Sequence, residues 1–510
     1  MVMTIQARDS YGERLRAALA ELPQTIDAAA DAGDSEGLRK ALGLIEDLRS
    51  GNPARVTDAL LHYFAANAWS GIQAVRKGTD SKWDWEQEEL EQIIIHLRSA
   101  RASDGFSQLT KIRKCQILTN LGNVFSHVGR CVEAIEYWDE ALEIDPQFGM
   151  AIGNRGHGIV FYASLFEHLC HQVPFMKRAH TDLKTALDQK LEGNAAAVFR
   201  DAVRMLESTA PSDGVDYREP PTDSIGETPA EIKYRKWCVE QRLFLNPLND
   251  LDRSNDVARD ILTIPSLTLP AGAGLEHFGY FNQIKQEFVS SRYLYYEGVT
   301  SFSPHYSDKD VLLYDTLDFP AYSLAVEKMK LSFRALYSTF DKIAFFLNSY
   351  LGLSIAERKV NFRSLWYSNQ RKREGLRPGF QRLENWPLRG LFWLSKDLYE
   401  DKPGFRDSIE PEGRALAEVR NHLEHKYIKL HGIELDEPLG ILTPVKDTLA
   451  YSMSRKDFES KTLKLLSMVR ASLIYLSLTV GTEERNRVKK LPSDRIAKIP
   501  LVIWRDQFKV

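Results

Sequence analysis

The sequence reads as an all-α protein, and three observations lead there. Strand signals are scarce, and apolar residues recur every three or four positions over long stretches. One of those stretches also carries a repeat-like spacing of small and aromatic residues. With 510 residues the chain exceeds what one hydrophobic core usually organises, so two or three domains are expected. Its 43% hydrophobic and 27% charged residues are those of an ordinary globular composition. A net charge of -3 excludes a general nucleic-acid coat, although a local basic surface remains compatible with it.

The N-terminal region, residues 10–208, reads as an irregular helical-repeat array. Its clearest unit is Leu118, Leu121-Gly122, Phe125, Ala134, Trp138, Ala141 and Pro146, the spacing of a tetratricopeptide (TPR)-like helix-turn-helix. Gly122 and Ala134 let two helices approach, Trp138 and Phe125 fill the space between them, and Pro146 ends the second helix. One repeat cannot bury its own faces, so neighbours are expected. Downstream, Arg155-Gly156 falls where the Leu-Gly pair would recur, with Ala179, Leu183 and Ala186 on its partner helix. Upstream, Leu60 to Val75 and Leu90 to Leu97 form a degenerate pair. Ordinary helical hairpins with one accidental match are the plainer alternative.

Residues 209–274 read as linker and connector. Ser208 to Ala230 is rich in Pro, Ser and acidic residues, and Pro265 to Gly274 is a second break. Trp237 to Leu248 between them begins an ordered stretch.

Residues 275–482 read as an antiparallel helical bundle, followed by a tail at 483–510. Phe278 to Tyr296 is aromatic-rich. In Pro320 to Tyr350, Val326, Met329, Phe333, Leu336, Phe340, Ile343, Leu347 and Tyr350 form one core-facing stripe. Leu388 to Tyr399, Pro411 to Lys429 and Arg455 to Val480 supply further helices, with a long loop between Leu351 and Trp386. Arg358 to Arg377 is locally basic. Arg371, Lys372 and Arg373 are its candidate nucleic-acid contacts, and a solvated charged face is the alternative.

Cys115, Cys131, Cys170 and Cys238 show no CxxC pairing, so neither a zinc knuckle nor a disulfide framework is expected. The N-terminus lacks the apolar core of a signal peptide, and no run of the ~20 apolar residues needed to span a bilayer is evident. A cytoplasmic protein with no membrane partner and no cofactor is the resulting expectation.

Glu418 to Ile428 concentrates the chemistry. Arg420 offers a permanent cation, Asn421 a neutral donor, and His425 an imidazole that can take or give a proton near neutral pH. Cutting RNA at its own 2'-hydroxyl needs a base, an acid and a cation at the charged phosphorane, and these residue types supply them. On an ideal helix Asn421 and His425 share a face, whereas Arg420 and His425 stand about 140° apart. A partner subunit, a local distortion or a wrapped Arg420 would have to complete the site. Three other readings stay open. Arg420 and Glu424 are spaced for a surface ion pair, His422, His425 and His431 could hold a metal, and the bundle could be a non-catalytic scaffold.

The segment resembles the RxxxxH signature of the HEPN superfamily. Its companions are Phe340-Asp341-Lys342-Ile343-Ala344-Phe345-Phe346 and Phe392-Trp393-Leu394-Ser395-Lys396-Asp397, as in the branch named after a leptospiral protein. The resemblance covers about 275–482. It implies a metal-independent endoribonuclease that acts as a homodimer and leaves a 2',3'-cyclic phosphate, often in bacterial defence or toxin-like systems. It assigns phosphate contact to Arg420, acid/base catalysis to His425 and an orienting role to Asn421. Asp341 would fix the imidazole or hold Arg420, with a plain ion pair to Lys342 or Arg420 as the alternative. The repeats would then bind an unidentified protein partner that controls the effector.

Overall fold

A computed structural model describes residues 2–76, 84–209, 224–270, 272–314, 316, 318–372, 374–399, 411–432, 449–490 and 500–509, with side chains from residue 11 and, in the segment from 411, from residue 415. The molecule is 69% helical, with 16 helices and four short strands among the described residues. All-α is therefore the class.

The N-terminal half is a run of antiparallel helix pairs: α1 (Val2–Asp31), α2 (Ser35–Ser50), α3 (Arg55–Arg76), α4 (Glu88–Ala102), α5 (Lys111–His127), α6 (Cys131–Ile144), α7 (Gly149–Ala163), α8 (Leu169–Leu187) and α9 (Ala195–Thr209). The repeat spacing has a direct packing cause. Trp138 on α6 lies against two glycines, so a Cβ at Gly122 on α5 would come 2.5 Å from its ring, and one at Gly158 on α7 2.3 Å. The Trp138 indole donates to Asn123 at 3.0 Å, which satisfies its polar end. Gly156 repeats the arrangement against Leu183 and Ala179 of α8.

The connector is more than a linker. From residue 224 onward, α10 (Pro229–Glu240) leads into Leu243-Phe244-Leu245, all buried. Two buried arginines hold that turn. Arg292 donates to the Leu243 carbonyl at 2.7 Å and pairs with Asp260, and Arg470 donates to the Phe244 and Asn246 carbonyls and pairs with Asp250.

The C-terminal bundle is built from α11 (Glu276–Thr300), α12 (Leu324–Tyr350), the one-turn α13 (Pro378–Gln381), α14 (Trp386–Tyr399), α15 (Pro411–His425) and α16 (Arg455–Val488). Its core is the apolar stripe read in the sequence: Val326, Met329, Phe333, Leu336, Phe340, Ile343 and Leu347 are all at most 1% exposed. Three expectations need correction. The motif helix does not reach Lys429; it stops at His425. Tyr427–His431 (β3) then pairs in parallel with Ala450–Ser454 (β4), the period switching to alternation. The stretch between Leu351 and Trp386 contains an antiparallel hairpin, Tyr367–Asn369 (β1) with Glu374–Leu376 (β2), as well as α13. The last helix continues to Val488, so the expected tail boundary after 482 falls inside it. By length and composition α16 could cross a membrane, but 83% of its apolar window is buried within this molecule.

The two halves share one core through α14. Every residue from Trp386 to Leu398 is buried, because the bundle covers one side of this helix and the array the other. Asn385 caps it, accepting from the Leu388 amide at 3.1 Å. Gly390 lies so close to the α5–α6 turn that a Cβ there would sit 2.3 Å from the Gly129 carbonyl oxygen. Trp85 from the array packs against Trp366, Phe380 and Phe392, and the Trp386 indole donates to the His127 carbonyl at 3.1 Å.

Candidate functional site

Two elements position the candidate residues. The helix α12 turns Arg334, Tyr337 and Asp341 toward α15 at spacings of three and four residues, which share a face. Arg334 donates to the Leu423 carbonyl and so satisfies one of the open carbonyls at the end of α15. One turn on, Arg420 lies over the Tyr337 ring, 5.8 Å from its centroid. Another turn on is Asp341, whose Oδ1 accepts from the Phe362 amide at 2.9 Å. Burial pushes the Asp341 carboxyl up, and the Phe362 amide and the Arg420 charge oppose that.

Arg420 is half-buried and donates to Asn421 Oδ1 at 3.2 Å. No ion pair joins it to Glu424 among the described residues. Nor does Lys342 pair with Asp341, as the alternative reading had it; Lys342 reaches Glu287 on α11 instead. Asp341 also makes no hydrogen bond to His425. The structure thus brings Arg420 close to Asn421 and to Asp341. His425 is the exposed last residue of α15.

The other histidines are tied to backbone. The His422 ring stacks on Tyr451 of β4 at 4.8 Å, with Nδ1 2.9 Å from the Glu418 carbonyl. His431 Nδ1 lies 2.9 Å from the Asp318 carbonyl. Beside it, Lys429 donates to the Asp318 carboxylate at 2.8 Å, and the Ala321 amide donates to the Leu430 carbonyl at 2.7 Å. These bonds pin the α11–α12 connection against β3.

Arg371 and Lys372 are exposed in the β1–β2 turn, where the Lys372 amide donates to Asn369 Oδ1 at 3.3 Å. Arg373 lies outside the described residues. Sequence reasoning missed Tyr337, Tyr399, Arg334 and Arg363. Arg363, at the end of the first basic run, is near enough to Tyr337 to act on its hydroxyl electrostatically. Tyr399 ends α14, and its ring meets that of Tyr337 edge-on. The signal for Arg334 and Tyr337 was available: they sit at helical spacing from Asp341 on the helix that bears it.

Residues 271–483 match the LA2681-like HEPN family. No curated protein and no solved structure matches the chain. The match starts before α11 and ends within α16, and so includes Asp341, Arg420, Asn421 and His425.

Proposed function

We propose that this chain, whose residues 271–483 belong to the LA2681-like HEPN family, is an endoribonuclease that cuts RNA by attack of its own 2'-hydroxyl without a metal ion. The observation that carries the reading is the arrangement at the end of α15. Arg420 is held by α12 beside Asp341, while His425 stands exposed one and a half turns further on.

In this reading His425 moves the protons, taking one from the 2'-hydroxyl or giving one to the departing 5'-oxygen. Arg420 faces the non-bridging oxygens of the phosphorane and stabilises their charge. Asn421 restrains Arg420 through the bond between them, and Asp341 favours the guanidinium electrostatically. The divergence of Arg420 and His425 supports a two-fold homodimer in which two motif helices line one cleft. RNA is then the substrate, with Arg371, Lys372 and Arg373 as contacts for its backbone. The repeat array would receive the controlling protein partner, in a defence or toxin-like role.

The test uses labelled RNA and purified protein in EDTA, with the oligomeric state measured in parallel. Cleavage leaving a cyclic-phosphate end, lowered about 10²–10⁴-fold in His425→Ala, is expected. Equal background from wild type and variant would sink the proposal and leave a scaffold role. Cleavage that EDTA abolishes would point to metal-dependent hydrolysis instead.

A further inference from the structure

We propose that Tyr337 and Tyr399 are positioning residues for Arg420, and that the repeat array sets their placement through Asp397; the catalytic consequence rests on the ribonuclease reading above.

Among the described residues, the one side-chain hydrogen bond of Arg420 goes to the adjacent, exposed Asn421. An arginine with several free torsions and one such bond samples many orientations. The Tyr337 ring beneath it is the firm surface. The Arg420 Cζ lies over that ring, 5.8 Å from its centroid, a contact that uses none of the guanidinium's N–H donors as hydrogen bonds. Arg420 can therefore keep this contact and bond phosphate oxygens at once.

The ring is itself held from behind. Tyr399 meets Tyr337 edge-on, with centroids 6.3 Å apart and planes at 88°, and each hydroxyl acts on the other's ionisation. Tyr399 is the last residue of α14, two positions beyond Asp397. Asp397 is gripped from the array: Arg98 on α4 donates through both Nη atoms at 2.8 Å, and Arg130, at the start of α6, donates to the same carboxylate. A fixed point on the array thus lies within one helical turn of the ring that steadies the one under Arg420. A displacement of α4 against α6 would move Asp397 and carry Tyr399 with it.

The experiment uses the full-length protein with Tyr399→Phe, Tyr337→Phe and Arg98→Lys. The phenylalanine variants keep both rings and remove one hydroxyl from their contact. Arg98→Lys keeps a charge but cannot grip Asp397 with two bonds. The first readout is the rate at which phenylglyoxal modifies Arg420, followed by peptide mass spectrometry. Both phenylalanine variants should raise it about two- to fivefold, the range of a weakened cation–π contact, and Arg98→Lys should raise it less. The second readout is single-turnover RNA cleavage, where kcat should fall roughly tenfold in Tyr399→Phe while KM stays within about twofold, as for an interaction made in the transition state.

Unchanged Arg420 labelling in both phenylalanine variants overturns the positioning role. An effect of those variants without one from Arg98→Lys overturns the link to the array. A wild-type protein that labels as expected but cuts no RNA overturns the ribonuclease reading and leaves the positioning role standing.

Discussion

The centres around Asp397 and Arg420 both place arginine beside a carboxylate, yet they are built in opposite ways. Asp397 is 6% exposed and accepts from two arginines, one of them bidentate, and Arg130 is shared further with Glu133, on which Tyr475 closes. Burial alone would push its carboxyl up, but Arg130 and Arg98 outweigh that and hold it far below the usual range. Among the described residues Arg420 has one side-chain hydrogen bond, a ring 5.8 Å away and a carboxylate that acts on it electrostatically. Both carboxylate oxygens of Asp397 accept from buried arginines. The first centre is tied by several buried charges of opposite sign, the second by one neutral bond and a ring.

Asp397→Asn is the strongest attempt to break this comparison. It removes the buried carboxylate that Arg98 and Arg130 share and leaves Arg130 with Glu133, and a loss of about 3–5 kcal/mol is expected by urea unfolding. The same centre has a pH signature. Its folded-state pKa lies below the unfolded value, so its stabilisation is complete above about pH 5 and is lost as the pH falls toward the depressed value. In Asp397→Asn that acid-side slope should flatten.

Gly390→Ala comes next, because the added methyl must displace the Gly129 carbonyl at the same interface. About 1–3 kcal/mol of destabilisation is expected, again by urea unfolding.

A smaller pH effect should separate the array from the bundle. His62 and His96 lie with Nδ1 atoms 2.9 Å apart. Burial and then the charge on Arg49 lower His62 to about 4, and burial and the neighbouring His62 lower His96 to about 3. Both are neutral when folded, so their contribution is full above about pH 6.5 and is lost as the pH falls below it. His96→Leu should shrink this first acid limb to the share of His62 and leave that of Asp397, as thermal melts between pH 7 and 4 would show.

The smallest effect is the most discriminating. Arg420→Ala and Asn421→Ala should change unfolding free energy by no more than about 0.5 kcal/mol, the range for surface positions outside a packed network. A loss near that of Asp397→Asn would place Arg420 among the structural charges.

What could be read in advance follows from distance along the chain. Gly122, Phe125, Ala134 and Trp138 were legible because two neighbouring helices impose their spacing locally. The stripe from Val326 to Leu347 was legible for the same reason. The partners of Asp397 are 299 and 267 residues away, and no local period reports them. Tyr427 to His431 read as more helix because its apolar residues fit either period over so short a span, and its strand partner begins only at Ala450. Tyr399 was hidden more simply: it acts by touching Tyr337, which sequence spacing cannot display.

The enclosure of α14 also has a consequence for how the chain is made. The surface that receives it, around His127 and Gly129, leaves the ribosome about 260 residues before Trp386 does. At roughly 5–20 residues per second that surface waits, open and apolar, for on the order of tens of seconds. The nascent array therefore needs shelter by a chaperone or by its own slow closure. The array is made before Arg420 is, so the candidate site can form only on an array already translated.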